Sequence, residues 1–140
     1  MPFSVTFQTR HTDCYAATGF VHAGVLLAFT ELAYAAGEQA AGISKPAHIV
    51  AVEVRTRAEY LRPLPWQDGV KVEVGTSAAE AQGFTQAFTL RSARTDRTVA
   101  RIEHDWVWLD TQSGRAVPLD DQTCARLLSL NSLSTEAATS

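Results

Sequence analysis

The run HAGVLLAFTELAYAAGEQAAG, His22 to Gly42, constrains the fold more than any other stretch of the chain. Apolar residues recur along it at helical spacing, and Gly42 followed by Pro46 ends it. About 20 helical residues span roughly 30 Å, enough for one sheet to wrap around. Val25, Phe29, Leu32 and Ala36 fall on one side of the wheel, while Leu27, Ala28, Glu31, Tyr34, Ala35 and Glu38 fall on or near another. Both sides are largely apolar, so a sheet covering one leaves the second for another partner, and a second copy of the chain is the economical choice.

Around this helix the pattern is that of strands. Phe3, Val5 and Phe7 alternate with Ser4, Thr6 and Gln8. From Ile49 to Leu61, Val50, Val52, Val54, Ala58 and Tyr60 share one predicted face, and Glu53, Arg55, Arg57 and Glu59 the other, wet one. LRPLPWQDG breaks that strand, and Val70, Val72 and Val74 start the next. A further strand runs from Phe84 toward Arg94, TDR turns the chain, and Ala100, Ile102, Trp106 and Trp108 mark one face of the last. A short helix is expected within Leu119 to Leu130. The prediction is α+β, with an antiparallel sheet of about five strands in a single domain over 1–130 and a disordered tail over 131–140.

Composition narrows the function. Hydrophobic residues make up 46% of the 140, enough for a core, and the net charge of −3 provides no basic field for nucleic acid. Glu31 interrupts the apolar run before it reaches membrane-spanning length, so no membrane span is expected. The opening MPFSVTFQTRHTD has no charged segment ahead of an apolar core, so it does not read as a secretory leader. Cys14 and Cys124 stand far apart with no CxxC, which fits neither a zinc ribbon nor a disulfide framework, and a cytoplasmic location is expected. His11 and His48 show no metal-ligand spacing, so neither metal nor cofactor is expected.

The central question is why an apolar helix carries Glu31. An ionised carboxylate placed there must be paired, neutralised, hydrogen-bonded or wet. One reading has Glu31 meeting an Arg or His across the sheet or an interface, or lying on an exposed strip. The other makes it a general base or nucleophile at the edge of a dry cleft. Ahead of it, His22-Ala23-Gly24 opens the helix, where free backbone N–H groups and the positive end of the dipole favour a developing oxyanion. Glu31 lies about 10 Å further along, so one substrate spans both groups or the acid comes from a facing subunit.

The order of elements together with HAGVLLAFTELA resembles the hotdog-fold acyl-CoA thioesterases, notably the phenylacetic-acid-pathway type. That type has a His-Gly-Gly start and an acid seven positions after the second glycine. Gly24 and Glu31 keep this spacing, while Ala23 replaces the first glycine and Ala16 an asparagine six residues before the histidine. The loop RHTDCYAATGFVHAG looks similar to the 4-hydroxybenzoyl-CoA thioesterase type, whose catalytic aspartate follows the first strand. Asp13 is its counterpart, although Gly19 and His22 come later than that motif has them, and an Asx turn is the plainer role.

The resemblance implies a sheet wrapped around one long central helix, hydrolysis of an acyl-CoA thioester, and active sites at the interfaces of a homodimer or homotetramer. It further implies Glu31 as the acid, Asp13 as its rival, and backbone amides of His22, Ala23 and Gly24 as the oxyanion site. His22 can cap the helix or hydrogen-bond near the thioester. Arg91, Arg94 and Arg97, with Arg101, concentrate positive charge where coenzyme A phosphates need partners, or form a solvated strand face. His104, between Ile102 and Trp106, reads as a satisfied core residue, and Cys14 is not expected to be a nucleophile. A non-catalytic acyl-CoA binding module and a hydratase or dehydratase of 3-hydroxyacyl thioesters are the alternatives.

Overall fold

The computed structural model describes residues 2–133 and 136–139. Strand β1 (Phe3–Phe7) leads through a 3-10 turn at His11–Asp13 into helix α1 (Ala23–Ala40). Strand β2 (Ile49–Tyr60) follows, and then an antiparallel meander of β3 (Val70–Glu80), β4 (Gly83–Ser92) and β5 (Thr98–Asp110), whose last strand also pairs with β2. Short β6 (Arg115–Val117), helix α2 (Asp121–Ser129) and β7 (Glu136–Thr139) complete the chain. The sheet order is β2-β5-β4-β3-β1-β7, with β6 beside the end of β5. All pairings are antiparallel except that of β7, which runs parallel to β1.

The class is α+β, as expected, but the sheet has seven strands rather than about five. The difference lies in two short strands, one of which, β7, falls in the segment 131–140 expected to be a tail. Residues 134, 135 and 140 of that segment lie outside the described residues. The α2 helix sits inside its expected bounds, and the Asp120 carboxylate caps it by accepting from Thr123 N–H at 2.7 Å.

One face of the sheet is a continuous apolar layer. Val5, Val70, Val72, Val74, Phe88, Leu90, Ala100 and Ile102 are all at most 1% exposed. Helix α1 packs on it through Leu26, Phe29, Ala33, Tyr34 and Gly37. Phe29 stacks on Phe7 with centroids 4.9 Å apart, and Tyr34 stacks on Trp106 at 4.7 Å. Each such buried aromatic contributes on the order of 1.5–3 kcal/mol relative to exposure. Gly37 permits the close approach of α2, because a Cβ there would meet Leu130 at 3.3 Å. No described helix is long and apolar enough to cross a membrane.

Strand β2 departs from its expected alternation. Glu53 pairs with Trp106 and Arg55 with Asp105, leaving Val54 as the extra residue of a β-bulge. Before the bulge, Ala51 and Glu53 stand on the face of Trp108 and Trp106, toward the helix; after it, Thr56 stands opposite His104. The placing of Glu53 on the wet face with Arg55 and Arg57 is therefore corrected. Both parities are apolar over Ile49–Val54, so alternation could not fix the phase there.

Candidate active site

Glu31 projects from the side of α1 that the sheet does not cover, in line with exposed Gly24, Ala28, Leu32 and Ala35. It lines a cleft of about 350 Å³ between α1 and β2, with Tyr34, Glu38, Lys45, Ala51, Glu53 and Trp106 on the walls. The group beside it is neither Arg nor His but a second carboxyl, that of Glu53, on the wall of the same cleft. The hydrogen-bonding influence of Glu53, then partial burial, then the charge of Glu53 push the Glu31 carboxyl up to about 7.

The other charges in the cleft are committed elsewhere. The Tyr34 hydroxyl and the Lys45 ammonium both donate to the Glu38 carboxylate. Lys45 also lies over the Trp108 ring at 5.6 Å. Burial, and then the bond to Glu38, raise the Tyr34 hydroxyl far above the usual phenol range, so it stays a donor at any working pH. Lys45 is thus neutralised before it can serve the Glu31–Glu53 pair.

His104 lies behind the cleft, 2% exposed, as the core residue the sequence indicated. Its Nε2 is 2.8 Å from Thr30 Oγ1 and its Nδ1 is 2.8 Å from Thr56 Oγ1. Thr30 already donates its hydroxyl proton to Leu27 O at 2.6 Å, so it accepts from the ring. Neutral His104 therefore carries its proton on Nε2 and accepts from Thr56 at Nδ1. Burial lowers its pKa, against a smaller opposing influence from Glu53.

At the start of α1 the three amides differ. His22 N–H donates to Asp13 O at 3.1 Å and is used. Ala23 N–H donates to the exposed Tyr15 hydroxyl at 3.3 Å, a contact that a ligand oxygen can replace. Gly24 N–H has no acceptor among the described residues, and Gly24 is open to solvent. His22 caps the helix, its Nδ1 accepting from Val25 N–H at 3.4 Å. A Cβ on Gly24 would meet that ring at 3.3 Å. Beside this turn lies a cavity of about 410 Å³, lined largely by apolar groups including Phe20, Leu26, Tyr60 and Leu64.

Asp13 is close to the helix start through its backbone, while its carboxylate accepts from Arg10 N–H at 2.8 Å. The structure thus brings Asp13, His22, Ala23 and Gly24 together and sets Glu31 two turns away with Glu53. The arginines stand apart on the β4–β5 hairpin. Arg91 is paired with Glu73 and donates to Thr98, Arg94 donates to Asp68 at 2.8 Å, and the Arg97 guanidinium has no described partner. No three His, Cys, Asp or Glu side chains cluster as metal ligands among the described residues. Sequence reasoning missed Glu53 and Tyr15; the first was hidden by the bulge, and the second had only its nearness to His22 to signal it.

The thioesterase-like superfamily matches residues 9–127, and the chain belongs to it; thioester hydrolysis is the general chemistry this membership carries. Solved structures share the hotdog fold. A thioesterase from Thermus thermophilus, crystallised with coenzyme A and zinc, is 26% identical, with 91% of this chain and 92% of that one covered at a TM-score of 0.75. A 1,4-dihydroxy-2-naphthoyl-CoA thioesterase from Synechocystis is 17% identical, with 91% and 96% covered and a TM-score of 0.77. A gentisyl-coenzyme A thioesterase is 15% identical, with 89% and 98% covered at the same score of 0.77. No curated protein matches the chain in sequence.

Proposed function

We propose that the protein hydrolyses an acyl-CoA thioester, with Glu31 as general base and the first turn of α1 as oxyanion site. The observation that carries this reading is the Gly24 N–H, without an acceptor among the described residues, at an exposed helix start on the same face of α1 as Glu31, whose carboxyl is pushed up to about 7 beside Glu53. The thioester carbonyl accepts from Gly24 N–H, and from Ala23 N–H once it displaces the Tyr15 hydroxyl. Ionised Glu31 takes a proton from water as the water oxygen attacks the carbonyl carbon. The tetrahedral intermediate collapses, the C–S bond breaks, and the thiolate takes the proton back from Glu31, giving a carboxylic acid and free thiol.

The roughly 10 Å between Gly24 and Glu31 is bridged when a second copy faces the first, so that one chain's Gly24 serves with the other's Glu31. The uncovered stripe of α1, with Leu32 53% exposed, and the open edge of β2, with Val54 62% exposed, support a homodimer, which can pair again into a tetramer. The sheet then curls around α1 as its central helix. Of the β4–β5 arginines Arg91, Arg94 and Arg97, Arg97 meets the coenzyme A phosphates, because its guanidinium alone of the three is uncommitted among the described residues. The proposed location is the cytoplasm.

A second reading has Asp13 as the base, because its backbone already touches the oxyanion turn through His22 N–H. A thiol-release assay over short, long, branched and aromatic acyl-CoAs separates the two. The leading reading requires release by the wild type and a loss of about 100-fold or more in Glu31→Ala. Collapse in Asp13→Asn with Glu31→Ala unchanged moves the chemistry to Asp13, and no release from any substrate overturns the enzyme reading.

A further inference from the structure

We propose that Glu53 is a positioning residue that acts on this reaction through Glu31, its carboxyl turned by the β-bulge at Val54 into the cleft that Glu31 lines. The inference rests on Glu31 being the base. Without the bulge, residue 53 would keep the alternation of Arg55 and Arg57 and point away from the helix; the bulge turns it onto the face of Trp106, where the two carboxyls line one cleft. Bulges recur beside active sites, where they re-aim a side chain.

The surroundings leave the pair to itself. From α1, Tyr34 and Glu38 face the cleft; from the α1–β2 connection, Lys45; from β5, His104 lies behind it. Lys45 and Tyr34 both donate to Glu38, and His104 is held neutral between two threonine hydroxyls. No cation among the described residues is left to quench the repulsion from Glu53, so Glu31 keeps its proton until the solution is near neutral. Release of that proton yields a base stronger than an ordinary glutamate at the pH where water must be activated.

The test follows both the titration of Glu31 and the pH dependence of kcat in the intact protein. In the wild type, the side-chain carboxyl carbon of Glu31, observed by ¹³C NMR, titrates at about 7, and the acidic limb of kcat has the same midpoint. In Glu53→Gln, which keeps the shape and can donate from its amide, both midpoints fall toward 4.5. The plateau kcat drops roughly ten-fold, because the base is weaker. Glu53→Asp, which keeps the charge, retains a raised midpoint. An unchanged Glu31 titration in Glu53→Gln overturns the proposal, and so does a shifted titration with an unmoved kcat limb. A wild-type rate in Glu31→Ala overturns this proposal together with the base assignment, whereas collapse in Glu31→Ala with an unmoved limb in Glu53→Gln overturns this one alone.

Discussion

Thr30 Oγ1 lies 2.8 Å from His104 Nε2, and this hydrogen bond fastens α1 to the middle of the sheet one residue before Glu31. Both groups are buried, Thr30 fully and His104 to within 2%. Removing the acceptor leaves a buried ring N–H with nothing to bond. Thr30→Val is therefore expected to destabilise the protein by about 1–3 kcal/mol, while Thr30→Ser, which keeps the oxygen, loses less. Urea unfolding of the two variants checks the difference. Equal losses would show that packing, not the hydrogen bond, matters at this position.

The carboxyl pair sets a pH dependence of opposite sign to that of His104. Glu31 binds its proton more tightly folded than unfolded, so its contribution is full below 4.5 and declines as pH rises through about 7. Buried His104 binds its proton less tightly folded than unfolded, so its contribution is present above 6.5 and is lost as pH falls below it. The two partly cancel between about pH 5 and 7 in the wild type. Glu31→Gln removes one of them: the variant is expected to melt higher than the wild type at about pH 8, with the gain shrinking toward about pH 5. Thermal scans at several pH values read this directly, and a gain that grows toward acid would contradict it.

These two sites differ in how far the sequence disclosed them. Helix α1 was legible because apolar spacing, Gly42 and Pro46 agree on one element, and the strands because β-branched and aromatic residues alternate between short turns. The anomaly of Glu31 was legible as well, since a lone acid in an apolar run needs a partner. What that partner is was not, because the phase of β2 rests on one extra residue in a stretch where both faces are apolar. His104 could be read as core but not as the bridge between Thr30 and Thr56, which lie 74 and 48 residues from it in the chain. Long-range pairing is invisible to local periodicity.

Gly24 separates catalysis from stability. In a helix, Ala is favoured over Gly by roughly 0.5–1 kcal/mol. A methyl at this position sits 3.3 Å from the His22 ring and beside the N–H that has no acceptor among the described residues. Gly24→Ala is expected to retain the thermal midpoint within a few degrees and yet lower kcat/KM by about 10-fold or more, because the carbonyl can no longer approach. Retained activity would place the oxyanion elsewhere.

The hairpin arginines give different answers according to what already holds them. The Asp68 carboxylate, its side chain 5% exposed, accepts from Arg94 and from the Ser92 hydroxyl at 2.8 Å each. Arg94 first, and Ser92 after it, hold that carboxyl below the usual range, so the stabilisation is present at neutral pH and is lost as pH falls through its lowered value. Arg94→Ala should therefore lower stability by roughly 1 kcal/mol while leaving KM little changed. Arg97, whose guanidinium has no described partner, should behave in the opposite way. Arg97→Ala is expected to raise KM for an acyl-CoA several-fold, more so at low salt, without moving the unfolding midpoint. A truncated thioester that lacks the nucleotide phosphates provides the control, since its KM should not respond to Arg97 at all. An equal rise in KM for both substrates would mean that the hairpin does not meet the phosphates.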